Sequence, residues 1–304
     1  MNIQSLSVCV PAGCPNNCAY CVSKMNNQPD NTYENLAESA LCTSPSLTAK
    51  QLEEYGLLRQ QYADRIAFAR DNGCNTMMIT SNGEAMMNMG FIAALCRMNG
   101  GLQQPFRWVE LQASGIALHD ENLYLLKKYR ISTISVSLAD IFNDQTNAYI
   151  NGIEPKFQFI LEDLCRLIKR YGFNLRLSLN MSDVYNGVAP EQIFARAAEL
   201  GANQVTFRKL YVSDIYQGTR QAKWIENHTY DGFEDIKGYI MKYGKELDPL
   251  PFGPIPYSVH GLSIVIDLNC MNKGIKKDGR IKYLILRPDC HLYTRWDDKG
   301  SLLF

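Results

Sequence analysis

Gly13-Cys14-Pro15-Asn16-Asn17-Cys18-Ala19-Tyr20-Cys21 is the stretch on which the reading of this chain turns. Three thiols stand at C-x3-C-x2-C spacing on a loop of Gly, Pro and Asn, close behind the apolar run Leu6-Ser7-Val8-Cys9-Val10. Thiolates spaced this tightly can turn toward one centre, as a soft metal site requires. A structural zinc site is closed by four ligands, and no fourth Cys or His stands nearby in sequence. A cuboidal iron–sulfur cluster held by three cysteines keeps one iron open, free to bind a substrate or cofactor. The spacing also differs from the C-x2-C pairs of zinc modules and from ferredoxin runs.

Outward from this loop, a polar stretch from Lys24 to Thr48 is longer than an ordinary connection and suits a functional loop or lid. Cys42 inside it reads as incidental. A regular alternation then begins. Apolar residues at Tyr55, Leu58, Tyr62, Ile66 and Ala69 give helical spacing over 51–70, and Asn72-Gly73 stops it. The run Thr76-Met77-Met78-Ile79-Thr80 suits a strand covered on both faces. The phrase repeats with helices predicted at 87–98, 121–129, 157–171 and 190–200, and strands at 108–111, 132–138, 175–179 and 204–207.

With the run before the Cys loop, this makes six strands separated by five helices. Strands alternating with helices of this length imply right-handed parallel βαβ units. Six units are two short of a full barrel, so the natural fold is an open, partial (β/α)6 TIM-like barrel. In such barrels the chemistry sits at the C-terminal ends of the strands.

The loop with its aromatic before the last Cys (Cys14, Cys18, Tyr20, Cys21) resembles the radical S-adenosylmethionine (radical SAM) enzymes, whose fold is the same partial barrel. The resemblance implies that Cys14, Cys18 and Cys21 hold a [4Fe–4S] cluster whose open iron chelates the amine and carboxylate of S-adenosylmethionine. Thr80-Ser81-Asn82-Gly83-Glu84 is similar to the family's Gly-Gly-Glu motif, with Asn82 in place of the first Gly. There a backbone carbonyl and the Glu84 carboxylate would accept from the cofactor's ammonium, and Gly83 lets the backbone come close. Glu84 equally fits an ordinary turn near a helix N-terminus. Ser137 and Asp140, after the fourth strand, are candidates for ribose hydroxyls, Asp140 being equally suited to cap the next turn. Asn180 is positioned for the ribose or the carboxylate, and Arg208 suits the cofactor's carboxylate or an acidic substrate. Reduction of the cofactor in this family yields a 5′-deoxyadenosyl radical, which takes hydrogen from a substrate and needs an electron donor such as flavodoxin or ferredoxin.

The 304 residues carry 31 basic and 31 acidic side chains, which gives no electrostatic footprint for nucleic acid or an anionic membrane. A small molecule or a peptide is therefore a better expected substrate than RNA. The absence of a basic leader, of a spanning apolar run and of a disulfide-like cysteine pattern predicts a cytoplasmic protein, with Cys74, Cys96 and Cys165 as buried reduced thiols. From about residue 213 the pattern changes. Residues 1–212 read as the barrel, and 213–304 as an α/β extension that closes it and meets the substrate. The extension has a helix at 233–245, a Pro-rich linker at 249–256 and strands at 262–266, 281–286 and 291–296. Cys270 and Cys290 form no C-x2-C pair and read as structural thiols. The rival reading is a non-catalytic barrel braced by zinc on the three cysteines and a distant ligand.

Overall fold

The computed structural model describes residues 2–25, 49–212, 217–248, 255–268, 280–296 and 299–303. Cys42, Cys270 and the turn expected at 274–279 lie outside the described residues. The chain runs β1 (Asn2–Val10), α1 (Val22–Met25), α2 (Ala49–Asp71), β2 (Thr76–Ser81), α3 (Met89–Gly100), β3 (Trp108–Ala113), α4 (Asp120–Lys128) and β4 (Thr133–Leu138). It continues through α5 (Asp144–Ile150), α6 (Leu161–Arg170), β5 (Asn174–Met181), α7 (Pro190–Glu199), β6 (Gln204–Lys209), α8 (Arg220–Asn227) and α9 (Phe233–Tyr243). Five strands complete it: β7 (Lys245–Glu246), β8 (Tyr257–Val259), β9 (Leu262–Asp267), β10 (Arg280–Leu286) and β11 (Leu292–Tyr293).

All eleven strands among the described residues join one sheet, in the order β11-β10-β1-β2-β3-β4-β5-β6-β9-β8-β7. From β10 through β9 every neighbouring pair is parallel. The sequence reading supplies the six central strands, and β10 and β9 flank them in the same direction. The edges are antiparallel, and β11 and β7 do not pair, so the barrel is partial and open.

Strand alternation divides the residues between two environments. On β5, Leu175, Leu177, Leu179 and Met181 are buried in the core between sheet and helices. The residues between them, Arg176, Ser178 and Asn180, face the barrel lumen. Ile134, Val136 and Leu138 of β4 likewise pack outward, leaving Thr133, Ser135 and Ser137 inward. The helices supply the other half of that core. On α6, Leu161, Leu164, Cys165 and Ile168 are buried at i, i+3, i+4 and i+7 spacing. Among the described residues, Cys74, Cys96, Cys165 and Cys290 are buried and free. The lumen holds a polar floor, where Arg176 Nη1 pairs with Glu110 Oε2 at 2.6 Å and its Nε donates to Gln204 Oε1 at 2.8 Å.

Several boundaries differ from the sequence reading, each for a local reason. The helix expected at 157–171 starts at Leu161, because Pro155–Phe157 form a separate 3-10 turn and Ile160 is an extended N-cap, 59% exposed. The helix expected at 87–98 starts at Met89, where the Asn88 side chain accepts from Phe91 N. The polar segment after 220 is a helix, capped by Thr219. Of the strand expected at 291–296, only Leu292–Tyr293 pair, and Arg287 holds the rest by donating to the carbonyls of Arg295 and Trp296.

Candidate functional site

The Cys loop leaves the C-terminal end of β1 and crosses the barrel mouth, fixed on three sides. On the first side, Glu84 N donates to Gly13 O at 3.1 Å, and Asn88 Nδ2 donates to Pro11 O at 3.0 Å. A Cβ on Gly83 would lie 2.1 Å from Ala12 O, so only glycine permits this approach. On the second side, Asn17 N donates to the carbonyls of Asn151 and Gly152, and Ala19 N donates to Ile150 O at 2.9 Å. Gly152 has φ +54 and lies so close that a Cβ would meet Asn17 O at 2.7 Å. The third side is α1, whose Met25 packs with Ala222 and Ile225 of α8, while Trp224 lies against Tyr20.

Tyr20, Ser137 and Asn180, predicted separately from three places in the chain, meet in one network. Tyr20 Oη donates to Asn151 Oδ1 at 2.6 Å and accepts from Asn180 Nδ2 at 3.0 Å. Asn180 Nδ2 also donates to Ser137 Oγ at 2.9 Å and to Leu138 O at 3.3 Å. Asn151 in turn donates to Asn147 Oδ1, which also accepts from Ala139 N. Burial, reinforced by the neighbouring Cys18, holds the Tyr20 phenol well above its ordinary range, so it stays a neutral strut. The network ties the loop to the ends of β4 and β5.

Glu84 is 3% exposed. Its Oε1 accepts from Met86 N at 3.1 Å, and its Oε2 accepts from Ser114 N at 2.8 Å and Ser114 Oγ at 2.6 Å. Burial raises its pKa, while the three donors pull it down. A carboxylate has about four lone-pair positions, so roughly one remains for a ligand. Asp140 takes the capping role: its Oδ1 accepts from Phe142 N and Asn143 N. Asn180 pairs in register with Arg208 on β6, and Arg208 with Asp267 on β9. The Arg208 Nε is buried and, among the described residues, has no hydrogen-bond partner.

The donor set at the loop fits an iron–sulfur cluster. Cys14 is exposed, and Cys18 and Cys21 are partly so. Burial pushes the Cys18 thiol up to about 12, and the neighbouring Cys21 and Cys14 thiolates add to it. Three thiols that repel one another as thiolates need a shared cation to ionise together. The Lys24 ammonium supplies part of that charge while bonding Asn16 O and Asn17 Oδ1. Asn16, between the first two cysteines, is 2% exposed, with both amide atoms buried and unpartnered among the described residues. Among the described residues, no group of three or more His, Cys, Asp or Glu is placed to hold a single metal ion.

Sequence reasoning missed the part played by Asn147, Asn151 and Gly152, because α5 lacks the apolar stripe that marks the other helices. A different signal is present: Asn143 caps the N-terminus, its Oδ1 accepting from Gln145 N and Thr146 N, and Asn151-Gly152 is a helix stop. Lys24 and Asn16 carry no such local mark, and Ser114 is visible only as part of the polar turn that ends the third strand.

No family model matches the sequence, and no curated protein matches it. Solved structures match by fold. Streptococcus suis SuiB bound to precursor peptide SuiA superposes with TM-score 0.57 at 14% identity, over 96% of this chain and 59% of SuiB. Native anSMEcpe with bound AdoMet gives TM-score 0.56 at 11% identity, over 99% of this chain and 77% of its own. The same protein with AdoMet and the Cp18Cys peptide gives 0.57 at 11% identity, over 98% and 75%. The chain thus spans under two thirds of SuiB's length. These neighbours are radical SAM enzymes, and this chain shares their partial, open barrel fold. No helix among the described residues is long and apolar enough to cross a membrane.

Proposed function

We propose that this protein is a radical SAM enzyme, with Cys14, Cys18 and Cys21 as the ligands of a [4Fe–4S] cluster. The observation that carries the reading is the joint anchoring of the Cys loop. Its backbone is bonded to the Gly83–Glu84 turn, and Tyr20 bonds it to Asn180 and, through Asn180, to Ser137. That arrangement sits at the C-terminal strand ends of a fold shared with enzymes whose structures hold AdoMet. When bound, the cluster would supply the electron that cleaves S-adenosylmethionine to methionine and a 5′-deoxyadenosyl radical. The chain's residues bind and orient. The remaining lone pair of Glu84 and the carbonyls at Asn82 and Gly83 accept from the cofactor's ammonium. Ser137 and Asn180 take its ribose or carboxylate, and Arg208 takes a carboxylate of cofactor or substrate. Trp224 and α8 cover Tyr20 and exclude water from that side.

In this reading residues 1–212 bind the cofactor, and residues 213–304 close the open barrel and meet the substrate. SuiB and anSMEcpe hold peptides in their structures, which supports a peptide or small molecule here. Flavodoxin or ferredoxin fits as electron donor, and the cytoplasm as compartment. Anaerobic reconstitution followed by iron and sulfide analysis tests the metal assignment. The expected result is about four iron and four sulfide per chain, lost in the Cys14→Ala, Cys18→Ala, Cys21→Ala triple variant. Tight zinc binding without labile sulfide would instead support the zinc-braced barrel.

A further inference from the structure

The C-terminal ends of β5, β6 and β9 place opposite charges side by side without pairing them. Arg208 and Asp267 are in register on adjacent parallel strands, about 4.8 Å apart as such strands are spaced. Both face the lumen, since Val205 and Phe207 of β6 and Ile264 and Ile266 of β9 pack into the outer core. Among the described residues neither joins an ion pair, and the Arg208 Nε is buried with no hydrogen-bond partner. Beside them on β5, one step deeper than Asn180, Ser178 is 3% exposed, and its buried hydroxyl is likewise unpartnered. A desolvated donor, a desolvated hydroxyl and a nearby carboxylate are costly to leave unsatisfied. A ligand carrying both charges on neighbouring atoms would satisfy all three.

We propose that Arg208, Asp267 and Ser178 form a substrate subsite for the free α-amino-acid group, with the carboxylate on Arg208 and the ammonium on Asp267. Arg208 offers the planar fork that suits a carboxylate, and Ser178 donates to the same anion from below. The subsite lies on the β6–β9 side of the mouth, next to the strand ends that bind the cofactor. That this group belongs to a substrate rests on the radical SAM reading above; that the subsite binds an amino acid does not.

The test uses the standard free L-amino acids as probes, each beside its N-acetyl and carboxamide forms. Binding is measured by thermal shift and calorimetry, on iron-free protein and on protein reconstituted anaerobically. At least one free amino acid should bind both preparations. Capping either charge should weaken it about tenfold or more, the loss of one charge-assisted hydrogen bond. Arg208→Gln and Asp267→Asn should each lose about the same, and Arg208→Lys should recover part of it. S-adenosylmethionine affinity of the reconstituted Asp267→Asn protein should stay within about twofold of wild type. No binding of any free amino acid, or equal binding of the capped forms, overturns the subsite, and both readings use unaltered protein. Variants that lose S-adenosylmethionine affinity instead would assign Arg208 to the cofactor and overturn it too. Failure to form a cluster with amino-acid binding intact would count against the radical reading alone.

Discussion

Glu84 shows how a single side chain can be legible in sequence while its partners are not. Its place after Asn82-Gly83 marks it as a motif residue, but its carboxylate is mostly occupied by Ser114 and Met86, partners that no local spacing announces. Ser114→Ala removes a short hydrogen bond to a buried carboxylate and should cost about 1.5–3 kcal/mol in urea unfolding. The pH dependence has a definite sign. Burial holds the folded Glu84 pKa above its ordinary 4.5, so the folded state keeps this proton more tightly than the unfolded chain does. Its contribution is complete below 4.5 and is lost as pH rises through the folded value. Stability of the wild type relative to Glu84→Gln should therefore fall as pH is raised through that window, and a flat difference would refute it. The placement of Cys14, Cys18, Tyr20, Ser137 and Asn180 on one loop and at strand ends is readable from their spacing. Asn16 and Lys24 are not, since burial and loop geometry alone give them partners or leave them without.

At the level of elements, the alternation of strand and helix is plain wherever an apolar stripe lies next to a glycine stop. α6 is the clearest case: its stripe is evident, yet the expected start lies four residues early, because Phe157 and Ile160 fit a helical period without being helical. α5 escapes because seven residues, with Asn147 and Ala148 among the buried ones, show little apolar stripe. It nonetheless carries one side of the Cys loop. Gly152→Ala should strain a residue at φ +54 and drive a methyl against the Asn17 backbone. The expected outcome is a protein that folds with the same circular dichroism but retains less than about half of its iron after desalting. Undiminished iron would show that the α5 end does not position the loop. Gly187→Ala is the control, because its φ is also positive but nothing lies within 4 Å of its Cβ.

For the whole molecule, six parallel strands are readable, because each of the first five leads into its own helix. The parallel placement of β9 and β10 is not, since both come after irregular stretches and only the register Arg208–Asp267 and Ser5–Tyr283 shows where they dock. Their joining extends the polar lumen to eight parallel strands while leaving the barrel open between β7 and β11. The Cys loop, Glu84 and the Tyr20–Asn180–Ser137 network meet at the C-terminal ends of these strands. The most direct test is chromatography for 5′-deoxyadenosine after the reconstituted protein is mixed anaerobically with S-adenosylmethionine and dithionite. The account predicts 5′-deoxyadenosine and methionine from the wild type, and none from the Cys14→Ala, Cys18→Ala, Cys21→Ala variant. A protein that loads its cluster yet never cleaves the cofactor, with free amino acids and short peptides supplied as substrates, would contradict it.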